Sequence, residues 1–517
     1  MNLYDRLAEY SSMDYYPMHM PGHKRNKELI SMIDPYSIDI TEIDGFDNLH
    51  HAEGILLKGM ERAAGLYGAE HTNYLIGGST AGILTGISAC TKKGDRILVA
   101  RNSHKAVYHA IYLNELNPVY IYPQLLPVYG INGGIPPAEI EEMLIKHPDI
   151  KLVMITSPTY EGILSDVKAI AVIAHRYNVP LMVDEAHGAH LGFHPGFPEG
   201  SVTLGADIVI HSIHKTLPAF TQSALIHVNG SLVDYEEVKR YLSIYQSTSP
   251  SYVLMAGIDK CITLLEQKKE ELFGGFDEQL RLFYHRMEKL THMKILTGKV
   301  VKEYGFYDFD PSKITVSVRG MAMTGNELYN RLLKTYRIQM EMASGDYVLG
   351  MTSIGDTKEG FKRLGDALFE LDGSYEEELL KSRKAPDQNM DRDDNLNNYV
   401  MDRSGVTLGK EEFRNISNSG PAYLTRTERV MLCQEAYDKP QERILLQKSA
   451  KRVAAEYLYL YPPGIPLLVP GERISARLLS EILEYQKDGL ALQGLQDMEG
   501  KYIKVVATSN EESQHLK

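Results

Sequence analysis

The chain is poor in the features that carry a protein out of the cell or into a membrane. It has only three cysteines in 517 residues, Cys90, Cys261 and Cys433, widely spaced and with no CxxC pair. That arrangement favours free thiols in a reducing compartment over a disulfide framework. No apolar run reaches the length of a bilayer span. The opening Met1-Asn-Leu-Tyr-Asp-Arg-Leu-Ala-Glu-Tyr10 is charged and amphipathic, without the apolar core of a signal peptide, so a cytoplasmic location is expected. Positive charge is in deficit, 55 Lys and Arg against 68 Asp and Glu, a net −13. This argues against nucleic acid or an anionic membrane as the partner. No Gly-Lys-Ser/Thr follows the one glycine-rich helix start, which excludes a Walker loop, and HExxH is absent.

What remains is ordinary globular composition, 43% hydrophobic and 24% charged, in a chain long enough for two to four domains. Residues 1–51 read as an N-terminal arm punctuated by Pro17, Pro21 and Gly22. From 52 to about 290, short apolar runs at 96–100, 119–122, 152–156, 181–184, 208–211 and 224–228 alternate mostly with helix-length segments. This predicts an α/β domain with a mostly parallel sheet, one antiparallel strand being permitted by the tight connection from 211 to 224. A smaller α/β domain is expected over 291–375, a polar linker over 376–400 and a C-terminal α+β domain over 401–517.

In such a sheet functional residues belong at the carboxyl ends of the strands, and polar clusters fall there. Lys215 lies between two apolar runs, where burial would lower its pKa and make its amine nucleophilic; the alternative is a surface lysine on a hairpin turn. Gly77-Gly-Ser-Thr80 opens a helix, which suits either an anion, with Ser79 and Thr80 as donors, or a plain N-cap. Asp184 ends an apolar strand, placed to accept from a protonated heterocycle, to cap a helix or to bind a metal. His104 is suited to stacking on a flat ligand or to standing on the surface before a helix. Ser212 and His214 either join Ser79 and Thr80 on the same anion or serve the turn. The acidic and histidine residues between Asp184 and His214 match no common metal motif, so no metal is expected. One ligand uses all these groups together. Pyridoxal 5′-phosphate (PLP) needs a Schiff-base lysine, a carboxylate for its pyridinium nitrogen, a phosphate cup and usually a stacking ring.

Seven motifs carry a family resemblance: Pro21-Gly-His-Lys24, Gly78-Ser-Thr80, Arg101-Asn-Ser-His-Lys105, Pro158-Thr-Tyr-Glu-Gly162, Val183-Asp-Glu-Ala-His-Gly188, Ser212-Ile-His-Lys215 and Pro462-Pro-Gly-Ile-Pro-Leu-Leu-Val-Pro-Gly-Glu472. In their order along the whole chain they resemble the Orn/Lys/Arg decarboxylase family. The first motif arrives by residue 21, so the resemblance is to the short form that lacks a receiver-like N-terminal domain. It implies a PLP-dependent fold type I domain with a mostly parallel seven-stranded sheet. It also implies roles: Lys215 for the Schiff base, Asp184 at the pyridinium nitrogen, His104 on the ring face, and Ser79, Thr80, Ser212 and His214 at the phosphate. His187 stands where long-form relatives often carry tryptophan. Thr248 and Ser249 resemble a segment that reaches the neighbouring subunit's phosphate, implying a homodimer, or a larger assembly, with a shared active site. Glu472 resembles a carboxylate near the distal end of the substrate.

The implied reaction is α-decarboxylation of arginine, lysine or ornithine to agmatine or a diamine, as in polyamine metabolism, with His214 or Lys215 as the proton donor at Cα. An aminotransferase or aldolase on the same fold is the alternative, with Arg319 as a loose candidate for a carboxylate clamp. A non-catalytic PLP-binding regulatory homologue is the second.

Overall fold

The computed structural model describes residues 1–384, 399–401, 407–409, 425–460, 464–487 and 492–508. Most of the expected linker at 376–400 lies outside the described residues, as do Pro462 and Pro463 of the last motif. Helix Lys358–Lys384 extends past the boundary expected at 375, because Glu, Leu and Lys, which dominate 376–384, are good helix formers.

Seven strands form the central sheet: β1 (His71–Leu75), β2 (Arg96–Ala100), β3 (Asn117–Ile121), β4 (Ile150–Thr156), β5 (Leu181–Asp184), β6 (Ile208–His211) and β7 (Ala224–Val228). Their order is β1-β7-β6-β5-β4-β2-β3. The β6-β5-β4-β2-β3 part is parallel. Strand β7 runs antiparallel to both β6 and β1, as the short 211–224 connection requires. Pro118, which has no N–H to give a ladder, sits in the edge strand β3.

Both faces of the sheet are covered, which is why its strands read as continuous apolar runs. On one face Met182, Ile208 and Ile210 pack with Ile83 and Ile87 of helix α1 (Gly78–Cys90) and with Val107 and Ile111 of helix α2 (Lys105–Leu113). On the other, Val153, Val183 and Val209 pack with Ile140, Ile170 and Ala174 of the helices Pro137–Lys146 and Val167–Arg176.

Helix α3 (Ile213–Thr216) is one turn long and follows β6. Helix α4 (Tyr252–Met287) is 36 residues long. It buries Ile258, Ile262 and Leu265, then Phe276, Leu280 and Phe283, joining the first sheet's layer to a second sheet in one cluster. That second, antiparallel sheet holds β8 (Lys294–Ile295), β9 (Lys313–Ser317), β10 (Met342–Ser344) and β11 (Tyr347–Met351), in the order β8-β9-β11-β10. The arm joins it too, since Tyr16–Met18 pairs in parallel with Ile338–Met340. Near the C-terminus, Leu458, Leu468, Leu478, Ile482, Ile503 and Val505 form a separate core. All three cysteines are free. No helix of the described residues is long and apolar enough to cross a membrane.

Candidate active site

The carboxyl ends of β2, β4, β5 and β6 bring the polar clusters together. Lys215 sits in α3, the one-turn helix found in place of a bare hairpin turn, and its Nζ lies 2.9 Å from His187 Nε2. Burial lowers the pKa of Lys215, opposed by the negative charges of Asp184 and Glu341 and reinforced by Lys313. Asp184 ends β5 and is 4% exposed. Its pKa is raised by burial, opposed by the charge of Lys215 and by the Ala186 N–H, which donates to Oδ1 at 3.2 Å. The two groups therefore hold each other's charge in a place that favours neither.

Three histidines surround this pair, and all are held neutral. His104 caps α2, its Nδ1 accepting from the Ala106 N–H at 3.2 Å. Burial, and then the charges of Lys215 and Lys105, push it down to about 3. His187 is driven well below its ordinary value by burial and by Lys215, and its ring centroid lies 4.6 Å from that of Tyr160. His214 donates from Nδ1 to the Ser223 carbonyl at 2.8 Å and is lowered by burial to about 4.

Beside them is a cradle for an anion. Gly78, with φ +71°, opens α1 in the left-handed region that glycine tolerates. The next residue, Ser79, places its Oγ 2.5 Å from Ser212 Oγ, and Thr80 follows, exposed, in the first turn. Hydroxyls from two chain segments so converge at the positive end of a helix. Six buried polar atoms on the surrounding segments have no hydrogen-bond partner: Asn102 Oδ1, Ser103 Oγ, Thr156 Oγ1, His187 Nδ1, Thr216 Oγ1 and Ser223 Oγ. Each such atom costs about 1–3 kcal/mol when left unmade. Their concentration at one end of the sheet fits a polar ligand there. An amine, a carboxylate, a neutral ring and an anion cradle are the donor set that PLP uses.

Three expected residues stand apart. Thr248 and Ser249 lie exposed on the loop after helix Tyr235–Tyr245 and touch none of the residues above; the Ser249 N–H bonds only Ser247 Oγ. Glu472 lies in the C-terminal part of the chain, against Arg101. It is 1% exposed, its Oε2 accepts from Arg101 Nη2 at 3.2 Å and from the Val469 N–H at 2.9 Å. Arg101, itself 1% exposed, also donates to the Pro466 and Leu467 carbonyls. A buried guanidinium needs a counter-charge, and Glu472 supplies it through Oε2, while its Oε1 is buried without a hydrogen-bond partner. Arg319 donates to the Pro127 carbonyl and lies 3.8 Å from Asp346, away from Lys215.

Other residues at the site escaped sequence reasoning. Glu341 accepts from the Tyr160 hydroxyl at 2.6 Å and from the Met20 N–H at 2.9 Å, and its charge acts on Lys215. It carries no local signal, because only the folding of the arm and second sheet brings it near. Lys313, fully buried, donates to the His187 carbonyl at 3.1 Å and to Asp310 at 3.0 Å. Lys24, in the first motif, donates to the His19 carbonyl at 2.7 Å and to the Met351 carbonyl at 2.5 Å. Its motif marked it without revealing that it ties the arm to β11.

Residues 1–329 match the family model of the Orn/Lys/Arg decarboxylase major domain, and residues 418–496 that of the C-terminal domain. The chain is 30% identical to the arginine decarboxylase of Bacillus subtilis (strain 168), over 98% of this chain and 97% of that protein. It is 29% identical to the arginine decarboxylase of Halalkalibacterium halodurans, with the same coverage. In fold it is similar to the Francisella novicida lysine decarboxylase LdcF, with a TM-score of 0.72 at 21% identity over 97% of this chain and 80% of that one.

Proposed function

The chain belongs to the Orn/Lys/Arg decarboxylase family, a family of PLP-dependent basic amino acid decarboxylases, and from that premise we propose that it converts arginine to agmatine and carbon dioxide. Two arginine decarboxylases that match it over nearly their whole length support this choice of substrate. The single observation that carries the chemistry is the half-buried Lys215–His187 contact, with the charge of Asp184 acting on the lysine. When bound, PLP supplies an electron sink for the pair left at Cα as the carboxylate departs.

The chain's own residues then divide the work. Lys215, its pKa lowered by burial, is the amine that would hold the cofactor through its aldehyde. Asp184 would be the carboxylate that holds the proton on the pyridine nitrogen. His104, held neutral, would stack on the ring, and His187 holds Lys215 Nζ. Ser79, Thr80 and Ser212 take the phosphate at the start of α1, with His214 beside them. His214 donates from Nδ1 to the Ser223 carbonyl, which fixes its ring and leaves Nε2 without a proton. Lys215, in contact with His187 Nε2, is the proton donor at Cα in this reading. Thr248 and Ser249, exposed and unused in their own subunit, serve the phosphate of a second copy, so the active unit is a homodimer.

The test is carbon dioxide release from arginine, lysine and ornithine, side by side, by the purified full-length protein with PLP. Arginine is expected to turn over fastest, by at least about tenfold. Equal release from lysine would overturn the choice of substrate. No release from any of the three, with a keto acid formed instead, would overturn the reaction.

A further inference from the structure

Behind the strand ends, on the face of the sheet opposite α1, runs a second polar system that the reaction above does not use. Side chains alternate across a strand. Met182 packs on the α1 side and Asp184 follows it on the same face, while Glu185, the next residue, is directed the other way. Glu185 is fully buried. Its Oε1 accepts from Ser201 Oγ at 2.7 Å, the Ser201 N–H adds bonds of 3.1 Å, and Oε2 lies 2.7 Å from His211 Nε2. His211 Nδ1 lies 3.0 Å from His227 Nε2, and His227 Nδ1 lies 2.8 Å from Thr72 Oγ1. The register of β6, β7 and β1, which pairs His227 with Thr72 across the ladder, aligns these groups. Thr72 in turn lines a cavity of about 460 Å³ whose rim includes the exposed Glu70 and His71.

Two hydrogen-bond arrangements satisfy every member of this chain with both imidazoles neutral. In the first, protonated Glu185 donates to His211 Nε2, His211 Nδ1–H donates to His227 Nε2, and His227 Nδ1–H donates to Thr72. In the second, ionised Glu185 accepts from His211 Nε2–H, His211 Nδ1 accepts from His227 Nε2–H, and His227 Nδ1 accepts from the Thr72 hydroxyl. Passing from the first to the second moves one proton along each link. Thr72 takes the proton of His227 and gives its own to water in the cavity, so the net change is one proton from Glu185 to solvent. Burial drives both histidines well below their ordinary values, which excludes an imidazolium resting state. It also pushes Glu185 up to about 8, so both arrangements lie within reach near neutral pH. Other ionisable groups face this chain. Tyr67 packs its ring on His211 and His227 at 4.9 and 4.7 Å. His190 and Asp310 act on Glu185 with opposite signs, and Asp184 feels the charge of Glu185 through the sheet.

We propose that Glu185, His211, His227 and Thr72 form a buried proton relay joining the cavity at the sheet edge to the strand end that carries Asp184. Protonated Glu185 leaves Asp184 without a second negative charge beside it. Ionised Glu185 repels it and weakens its hold as a carboxylate. Glu185 and the two histidines are thus positioning residues for Asp184, a role that rests on Asp184 facing the cofactor.

The experiment uses the full-length protein with and without added PLP. Infrared difference spectra of wild type against Glu185→Gln should show a protonated-carboxyl band that fades as the pH rises through about 8. With ¹⁵N-labelled histidine, His211 and His227 should switch together from Nδ1–H to Nε2–H over the same range; this needs no variant at Glu185. In His227→Phe, which keeps a ring against Tyr67 and cannot pass a proton, deuterium exchange of the carboxyl should slow by about tenfold or more. An absent band, an imidazolium at either position near neutral pH, or equal exchange in His227→Phe would overturn the relay. Its coupling to Asp184 is read from the PLP absorbance, whose pH-dependent step should disappear in Glu185→Gln. An unchanged step overturns the coupling. If the protein takes up no PLP while band and tautomers titrate as described, the relay stands and the cofactor reading falls.

Discussion

The backbone N–H of Gly22 donates to the carbonyl of His214 at 2.7 Å, fastening the N-terminal arm to the turn that carries Lys215. A Cβ at Gly22 would lie 2.6 Å from Leu217 N and 2.7 Å from Leu217 O, backbone that has nowhere to go. The Gly22 carbonyl, in turn, accepts from Ser353 Oγ at 2.5 Å. Gly22→Ala should therefore lift the arm from the lysine turn at a cost of about 1–3 kcal/mol. A lower Tm together with lower PLP occupancy is the expected result, measured by thermal denaturation and by cofactor absorbance.

Lys215→Ala should abolish the visible absorbance of the bound cofactor. Activity should fall by roughly 10²–10⁴-fold or more, the range lost with a positioned proton carrier alone. Lys215→Arg keeps the charge beside Asp184 and lacks the free amine, so it should be equally inactive while folding normally. Absorbance spectra and carbon dioxide release, run together, check both.

Glu341→Gln removes a negative charge that favours protonated Lys215. Without it the lysine pKa falls further, so the acid limb of the cofactor's pH titration should move to lower pH by about one unit or less. Tyr160→Phe, which removes a hydrogen bond to Glu341 and leaves the charge, should produce a smaller shift. A titration of the absorbance in the three proteins decides it.

Glu472→Gln leaves Arg101 buried and uncompensated. Breaking one side of such a pair costs about 3–5 kcal/mol. The expected loss is of stability, read by denaturant unfolding. A substrate-binding role would instead raise KM at unchanged stability.

Stability should follow pH with two opposing slopes. His104, His211 and His214 are pushed from the ordinary 6.5 to about 3, about 3 and about 4 in the folded chain. Below 6.5 the unfolded chain takes up protons that these folded groups refuse, so stability drops as the pH falls. Glu185 acts the other way. Its pKa rises from 4.5 to about 8 on folding, so its contribution is complete below 4.5 and is lost as the pH climbs to about 8. Three groups outweigh one on the acid side, and the Tm should climb to about pH 6.5 and then decline gently. Glu185→Gln should remove the decline, and His211→Gln should soften the acid slope.

The sequence alone determined the alternation of strands and helices, and with it the strand ends where Lys215, Asp184, His104 and Ser212 reside. Those features are local: hydrophobic periodicity, glycine at a helix start and polar residues at the close of an apolar run are all read within a few residues. The strands at 96–100, 181–184, 208–211 and 224–228 fall where those patterns place them. The 36-residue α4 was not legible in the same way, since its buried positions serve two sheets in turn. What only the tertiary structure decided are the charges that meet across long stretches of chain. Glu341 comes near Lys215 through the second sheet, Glu472 is claimed by Arg101 across an interface between cores, and the register of β1, β7 and β6 aligns Thr72, His227 and His211 behind Asp184. A carboxylate's role depends on which buried cation lies within reach, and that distance exists only once the chain has folded.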